Sequence, residues 1–267
     1  MELHQNHSVG SEKRSLKTFL NIDQCEPVLS AVDLAMETKT IKKYWLEVVH
    51  YLDLAENNEK LLFQDIVNNY SQKNRYYHNL NHISTLLKLI DSQHLNGKDR
   101  ITLILTAFYH DVVYDTKQSM NESESVVFLK RHFDHLIEHK VIIDDVAQII
   151  IDTKNHQSES FLSQLFLDMD LSILGTDEVS YSVYSASIQK EYQQIPVFLY
   201  HIGRNNFIRT MLKKGSIFYT QEFKNKYEKQ AIQNLKNELA NAQSSLKVCS
   251  STKVPATRKR RAVKIMA

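Results

Sequence analysis

A histidine and an aspartate stand side by side at the end of a very apolar part of the sequence. The stretch from Ile101 to Tyr109 would be apolar almost all round a helix, and His110 and Asp111 follow it directly. Burying an imidazole and a carboxylate together costs free energy unless a hydrogen-bond partner or a cation compensates for the lost water. Taken alone, however, such a pair is more typical of a core histidine followed by an aspartate that caps a turn.

Two further segments place chemically capable side chains in apolar surroundings. His78 and His82 are four residues apart, which puts them on one helix face if the helix includes both. They do not form the HExxH motif of zinc peptidases, because Asn79 stands where that motif has a catalytic glutamate. Downstream, Asp168 and Asp170 interrupt the apolar run LFLDMDLSIL. One divalent cation held between the three segments would account for all of these residues.

The spaced segments resemble those of the HD-domain superfamily of metal-dependent phosphohydrolases. The resemblance is closest to a bacterial branch with the patterns R-x-Y-H-N-x-x-H, F-H-D-x-x-Y-D, N-E-x-S and F-L-D-x-D-L-x-I-L-G. This chain has the corresponding segments RYYHNLNH from Arg75, FYHDVVYD from Phe108, NESES from Asn121, FLDMDLSILG from Phe166, and the later segments YHIGR and SIFYTQEF. The match runs over about residues 40 to 245 and implies an all-α HD-type bundle.

The resemblance implies a metal site formed by His82, His110, Asp111 and Asp170. Asp168 competes with Asp170 for the fourth position, and would otherwise orient one of the ligands from outside the coordination sphere. A set of two histidines and two carboxylates suits Mn²⁺, Mg²⁺, Fe²⁺, Co²⁺, Ni²⁺ or Zn²⁺ and does not select among them.

The implied reaction is hydrolysis of a phosphoester, since a bound cation supplies a water of lowered pKa and polarises a phosphoryl oxygen. Asp111, His78 and Glu122 are the candidate catalytic residues. Asp115 and His156 are further acidic or basic groups expected near the metal, and we assign both to substrate binding. Glu122 has an alternative role as a favourable charge at a helix N-terminus, and His156 one as a surface histidine or a ligand of a second metal.

A phosphorylated substrate also requires positive charge. Arg75 lies three residues before His78 and is predicted to clamp a phosphate, with Arg204 as a weaker candidate for the same role. Either arginine could instead form an ordinary salt bridge. The histidines at positions 132, 135 and 139 lie among charged residues, and we expect them on a solvated helix face.

Two other functions are compatible with these residues. The chain could be a metal- or nucleotide-binding regulatory module that has lost turnover, or an interaction protein that uses its basic C-terminus. The substrate class stays open among nucleoside monophosphates, cyclic nucleotides, guanosine tetraphosphate and simple phosphomonoesters.

The elements that position these residues are predicted to be helices. Only 5 of the 267 residues are glycine and 3 are proline, too few for the tight turns of a β-sandwich or a doubly wound sheet. Apolar residues recur at helical spacing from Thr38 to about Leu246. The sequence therefore predicts about ten helices in one domain, with an N-terminal extension over 1–35, the helical domain over 36–245 and a disordered basic tail over 246–267.

Charge is divided unevenly along the chain. The net charge of +2 includes six basic residues in the segment 253–267, and without them 27 basic residues face 31 acidic ones. We expect a small phosphorylated substrate, and nucleic acid only as a weak ligand of the tail. Two distant cysteines and the absence of an apolar leader or membrane span predict a cytoplasmic protein. The oligomeric state is not predicted.

Overall fold

The computed structural model describes the backbone of residues 31–95 and 97–249, and the side chains of 35–95 and 97–242. Within those ranges all regular structure is helical, which confirms the predicted all-α class. The α-helices are α1 (Ala31–Tyr51), α2 (Glu56–Tyr70), α3 (Leu80–Ser92), α4 (Gly97–Tyr109), α5 (Asn121–Phe133), α6 (Lys140–Thr153), α7 (Phe161–Leu171), α8 (Glu178–Glu191), α9 (Val197–Lys213), α10 (Gln221–Phe223) and α11 (Lys229–Cys249).

Helix α4 is the centre of the bundle. Every residue from Ile101 to Tyr109 is buried, and the helix packs against α1, α3, α5, α6 and α7. A helix that is apolar on all sides has no face that favours water, so it is stable only where other helices surround it. Because α4 ends inside the bundle, His110 and Asp111, which follow it, also lie in the interior.

The helix ends differ from the sequence-based boundaries in two places. Helix α1 already includes Ala31, inside the predicted extension, and α11 includes Cys249, beyond the predicted start of the tail. The remainder of the predicted extension and the basic segment 250–267 lie outside the described residues. None of the helices that the structure describes is both long enough and apolar enough to cross a bilayer.

One of the histidines expected on a solvated face is in the core instead. His132 is 7% exposed, its Nδ1 lies 2.8 Å from the hydroxyl oxygen of Tyr109, and its ring packs on Phe128. Its neighbour His135 is exposed, as predicted. The prediction for His132 was wrong because adjacent helical residues face different directions. Charged neighbours in the sequence therefore do not show that a histidine between them is exposed.

Two short irregular helices meet at a glycine. The 3-10 turn Ser172–Gly175 follows α7, and the π-helix Lys224–Glu228 precedes α11. A Cβ atom added to Gly175 would lie 2.5 Å from both the Cβ and the carbonyl oxygen of Tyr227. Only glycine allows the two backbones to approach this closely.

We expect Gly175→Ala to lower the free energy of unfolding by about 1–3 kcal/mol, because the new methyl group must displace a backbone. Gly215→Ala is the matched control, since its Cβ would meet nothing within 4 Å, and should change stability by less than about 0.5 kcal/mol. Urea denaturation of both variants measures the difference. Equal stability of the two variants would contradict the close packing at Gly175.

Candidate metal centre

Three elements bring the predicted ligand residues to one point. His82 lies in the first turn of α3, His110 and Asp111 follow the end of α4, and Asp170 lies near the end of α7. Helix α3 begins where the side chain of Asn79 accepts a hydrogen bond from the Asn81 amide at 2.9 Å. This N-cap sets the start of the helix and aims His82 at the end of α4.

The ligand atoms are closely spaced. The Nε2 atom of His110 lies 3.1 Å from His82 Nε2 and 3.1 Å from Asp111 Oδ2. The Oδ1 atom of Asp170 lies 3.2 Å from His82 Nε2 and 3.8 Å from His110 Nε2. Neighbouring ligands of an octahedral ion lie about 3 Å apart when each is about 2.0–2.3 Å from the ion. The group of His82, His110 and Asp111 could therefore bind a metal ion, and the position of Asp170 is suited to a fourth ligand.

A hydrogen bond from the Nδ1 atom of His110 leaves its Nε2 atom as the one that can coordinate a cation. Its Nδ1 lies 3.1 Å from the carbonyl oxygen of Ala107, and a carbonyl can only accept, so Nδ1 carries the proton. In the neutral ring the Nε2 atom then has a free lone pair. A histidine that donates from its other nitrogen to a carbonyl is the usual arrangement of metal-bound imidazoles.

The charges of the cluster also favour cation binding. Burial would raise the pKa of both carboxyl groups, but His110 beside Asp111, and the hydrogen bond from His82 to Asp170, lower them below their usual range. Burial lowers the pKa of His82. For His110 burial acts in the same direction, but Asp111 outweighs it and raises the pKa. At neutral pH the site therefore holds two carboxylates, and a cation competes with a proton for His110.

Arg75 does not have the exposed guanidinium that a phosphate clamp requires. It is 2% exposed, and its Nη atoms donate to three backbone carbonyls: those of His78, Asp111 and Val112 at 2.7–3.1 Å. The guanidinium is also stacked over the ring of Tyr70. The predicted substrate contact is thus replaced by a positioning role, in which Arg75 ties the turn before α3 to the chain after α4.

Sequence reasoning missed Glu191, which holds His78. The side chain of Glu191, at the end of α8, is fully buried. Its Oε1 accepts from the amides of Tyr77 and His78 at 2.8 and 2.9 Å, and its Oε2 lies 2.7 Å from His78 Nδ1 and accepts from the Tyr114 hydroxyl at 2.9 Å. Burial would raise the pKa of the Glu191 carboxyl group. His78 and the hydrogen bonds from the two backbone amides outweigh this effect and hold the pKa below its usual range. No sequence motif distinguishes Glu191 from other glutamates, because its partners lie more than 70 residues away.

His78 lies in a turn before α3 and not in the helix, so it does not share a helix face with His82 as the four-residue spacing suggested. Its Nδ1 faces Glu191, and its Nε2 lies 3.8 Å from Asp111 Oδ2. The carboxylate of Glu191 therefore directs the opposite side of the ring toward the ligand cluster.

The two aspartates of α7 have separate environments. Asp168 is completely buried, and its carboxylate accepts hydrogen bonds from the amides of Tyr219 and Thr220 and from the Thr220 hydroxyl, each at 2.7 Å. Asp168 thus anchors the segment before α10, and the structure does not support the predicted role of orienting a metal ligand. Residues two apart on a helix face different directions, and Asp170 is the one directed to His82.

We expect Asp168→Asn to separate these two roles. The amide keeps only one acceptor oxygen for three donors, so the free energy of unfolding should fall by about 1–3 kcal/mol. Its divalent-metal content, measured by elemental analysis, should equal that of the wild type. Loss of metal from Asp168→Asn but not from Asp170→Asn would reverse the assignment of the two aspartates.

His156 lies near the cluster in a left-handed backbone conformation. Its φ of 51° lies in the left-handed region, which few residues other than glycine adopt, although histidine, asparagine and aspartate do so more often than the rest. The Lys214 ammonium and the Tyr219 hydroxyl both donate to its carbonyl oxygen, at 2.7 and 3.0 Å. Its Nε2 lies 3.9 Å from Asp170 Oδ2. The two hydrogen bonds to its carbonyl group fix this left-handed turn, which places the imidazole near the ligand cluster.

The other two predicted residues have local partners. Glu122 is 1% exposed near the start of α5, with its Oε2 atom 3.7 Å from Lys154 Nζ. The Asp115 carboxylate accepts a hydrogen bond from the Lys117 amide at 2.9 Å, and its backbone pairs with the side chain of Asn121. Glu122 is therefore a buried, ion-paired carboxylate, whereas Asp115 stabilises the loop before α5. Their catalytic and substrate-binding roles stay predictions.

No model of a known protein family matches this chain, and no curated protein or solved structure is significantly similar to it.

Proposed function

We propose that this protein is a metal-dependent phosphohydrolase that cleaves a phosphoester. The observation that carries the proposal is the convergence of two imidazole nitrogens and two carboxylates, from His82, His110, Asp111 and Asp170, with neighbouring ligand atoms 3.1–3.2 Å apart along three of the edges. The HD-type motifs named above agree with the same four residues. The proposal identifies the reaction class and leaves the ion open among Mn, Mg, Fe, Co, Ni and Zn.

The donor set fits a divalent cation. The histidines are 5% exposed or less, and the carboxylate side chains are about 15% exposed, so the cluster is shielded but can be reached. A bound divalent cation would supply a water of lowered pKa and polarise a phosphoryl oxygen. Without a cation, the negative charge of Asp111 opposes ionisation of Asp170, and the adjacent imidazoles of His82 and His110 compensate for it.

His78 is the residue best placed to move a proton. Hydrolysis adds a water oxygen to phosphorus and breaks the bond to the ester oxygen, which leaves as an alcohol and needs a proton. The ring of His78 stands beside Asp111 with its Nδ1 held by Glu191, so its Nε2 is presented to the reacting groups in one orientation. A histidine oriented in this way is suited to general acid catalysis. His156, beside Asp170, is suited to contact the phosphoryl oxygens.

The proposal is tested by measuring phosphate release from a panel of phosphorylated metabolites with each of the six metals. We expect His110→Ala to lower kcat/KM at least about 100-fold, since losing a ligand should cost more than the 10–100-fold typical of its supporting residues. His135→Ala, which alters an exposed histidine of the same chain, is the matched control. Stoichiometric metal binding without phosphate release from any compound would instead indicate a catalytically silent regulatory module.

A further inference from the structure

A cavity of about 320 Å³ lies against the metal centre. His82 belongs to its wall as well as to the ligand cluster, and Met169, the residue before Asp170, lines it too. The remaining wall comes from the turn before α3, helix α3 itself, the chain around the 3-10 turn Ser172–Gly175, helix α8 and Tyr227 of the π-helix. A molecule in the cavity would therefore lie next to any group bound at the four ligand residues.

The chemistry of the cavity differs from that of the metal centre. Of the 17 residues that line it, none is lysine, arginine, aspartate or glutamate. Most of the surface is apolar, with hydroxyl and amide groups at intervals. The polar groups other than the tyrosines belong to Asn79, Asn81, His82, Thr85, Ser172, Thr176, Ser180 and Ser187. Such a wall favours an uncharged group with some hydrogen-bonding atoms, and it offers no counter-charge to an anion.

Four of the lining residues are tyrosines, and two of them are held rigidly. The ring of Tyr77 lies edge to face with that of Tyr184, with centroids 4.7 Å apart, and 4.9 Å from the ring of His82. Arg204 donates to the Tyr184 hydroxyl at 3.1 Å, and Glu191 accepts from the Tyr77 amide. Fixed aromatic walls bind planar rings with little loss of conformational entropy.

We propose that this cavity binds an uncharged aromatic group of the substrate, so that the substrate class is the phosphomonoesters of ring-bearing alcohols. This inference rests on the proposed function, which places the phosphate at the ligand cluster beside His82. A pyrophosphate or longer polyphosphate leaving group would bring negative charge into a cavity without cationic side chains. The volume lies at the lower end of the range for small-molecule sites, which suits one fused ring system.

The inference is tested with 1-naphthylmethyl phosphate and its neutral alcohol, 1-naphthylmethanol. Val183 lines the cavity, and Val179 lies one turn earlier on α8 outside it. Both valines are exposed, at 54% and 72%, so tryptophan should be tolerated at either position, and thermal melts check this. We expect calorimetry to show that the alcohol binds wild type and Val179→Trp alike, and at least tenfold more weakly to Val183→Trp, whose indole would fill the cavity mouth.

Hydrolysis of the phosphate ester tests whether the cavity contributes to the reaction. With metal present, kcat/KM for 1-naphthylmethyl phosphate should exceed that for methyl phosphate at least tenfold, and Val183→Trp should remove most of that preference. Both leaving groups are primary alcohols, so the ring is the main difference between them. If the alcohol binds all three proteins equally, or none of them, the inference is wrong. If it binds as expected but no ester is hydrolysed, the cavity assignment stands and the proposed function fails.

Discussion

Asp111→Ala is expected to abolish stoichiometric metal binding. We expect purified wild-type protein to hold about one divalent ion per chain after loading and dialysis, and the variant to hold less than about a tenth of that amount. The Asp111 carboxylate supplies an anionic ligand 3.1 Å from His110 Nε2, and a neutral methyl group cannot replace it. Elemental analysis of both proteins measures the effect directly and does not depend on knowing a substrate.

The matched control is Asp144→Ala. That aspartate pairs with Lys140 on the surface of α6, so its removal should leave the metal content unchanged. Far-ultraviolet circular dichroism of each variant checks that the helices are intact. Equal metal content in wild type and Asp111→Ala would remove Asp111 from the site and, with it, the basis of the proposed hydrolysis.

Glu191→Ala is expected to destabilise the fold strongly. The substitution would leave two buried backbone amides, the Nδ1 of His78 and the Tyr114 hydroxyl without their common acceptor. Removing one member of a buried charged network typically costs about 3–5 kcal/mol. We expect a decrease of that size in the free energy of unfolding at pH 7, measured by urea denaturation.

The effect should depend on pH in a defined direction. The pKa of Glu191 is lowered in the folded protein, so its stabilisation is present above the unfolded pKa of about 4.3 and is lost as the pH falls through the folded value. The difference between wild type and Glu191→Ala should therefore shrink in acid. Glu178→Ala, at the exposed start of the same helix, should cost less than about 1 kcal/mol. A similar cost for both variants would contradict the buried network.

The sequence by itself determined the fold class and the central helix. Helical periodicity and the scarcity of glycine and proline depend on local geometry, so they can be read without knowing which elements touch. The all-round apolar stretch from Ile101 to Tyr109 predicted a central helix, and the structure confirms it. The segments that carry His82, the His110-Asp111 pair and Asp170 were also recognisable, because polar side chains in apolar runs need a partner.

Only the tertiary structure decided which partner each side chain has. Asp168 and Asp170 are equivalent in an apolar run, and the packing of the chain around residues 219–220 assigns the first to a backbone anchor. Arg75 and Glu191 contact residues 36 to 114 positions away, and no local pattern encodes contacts of that separation. The sequence therefore specifies which groups are too polar for their surroundings, whereas long-range packing determines whether a backbone amide, another side chain or a cation compensates them.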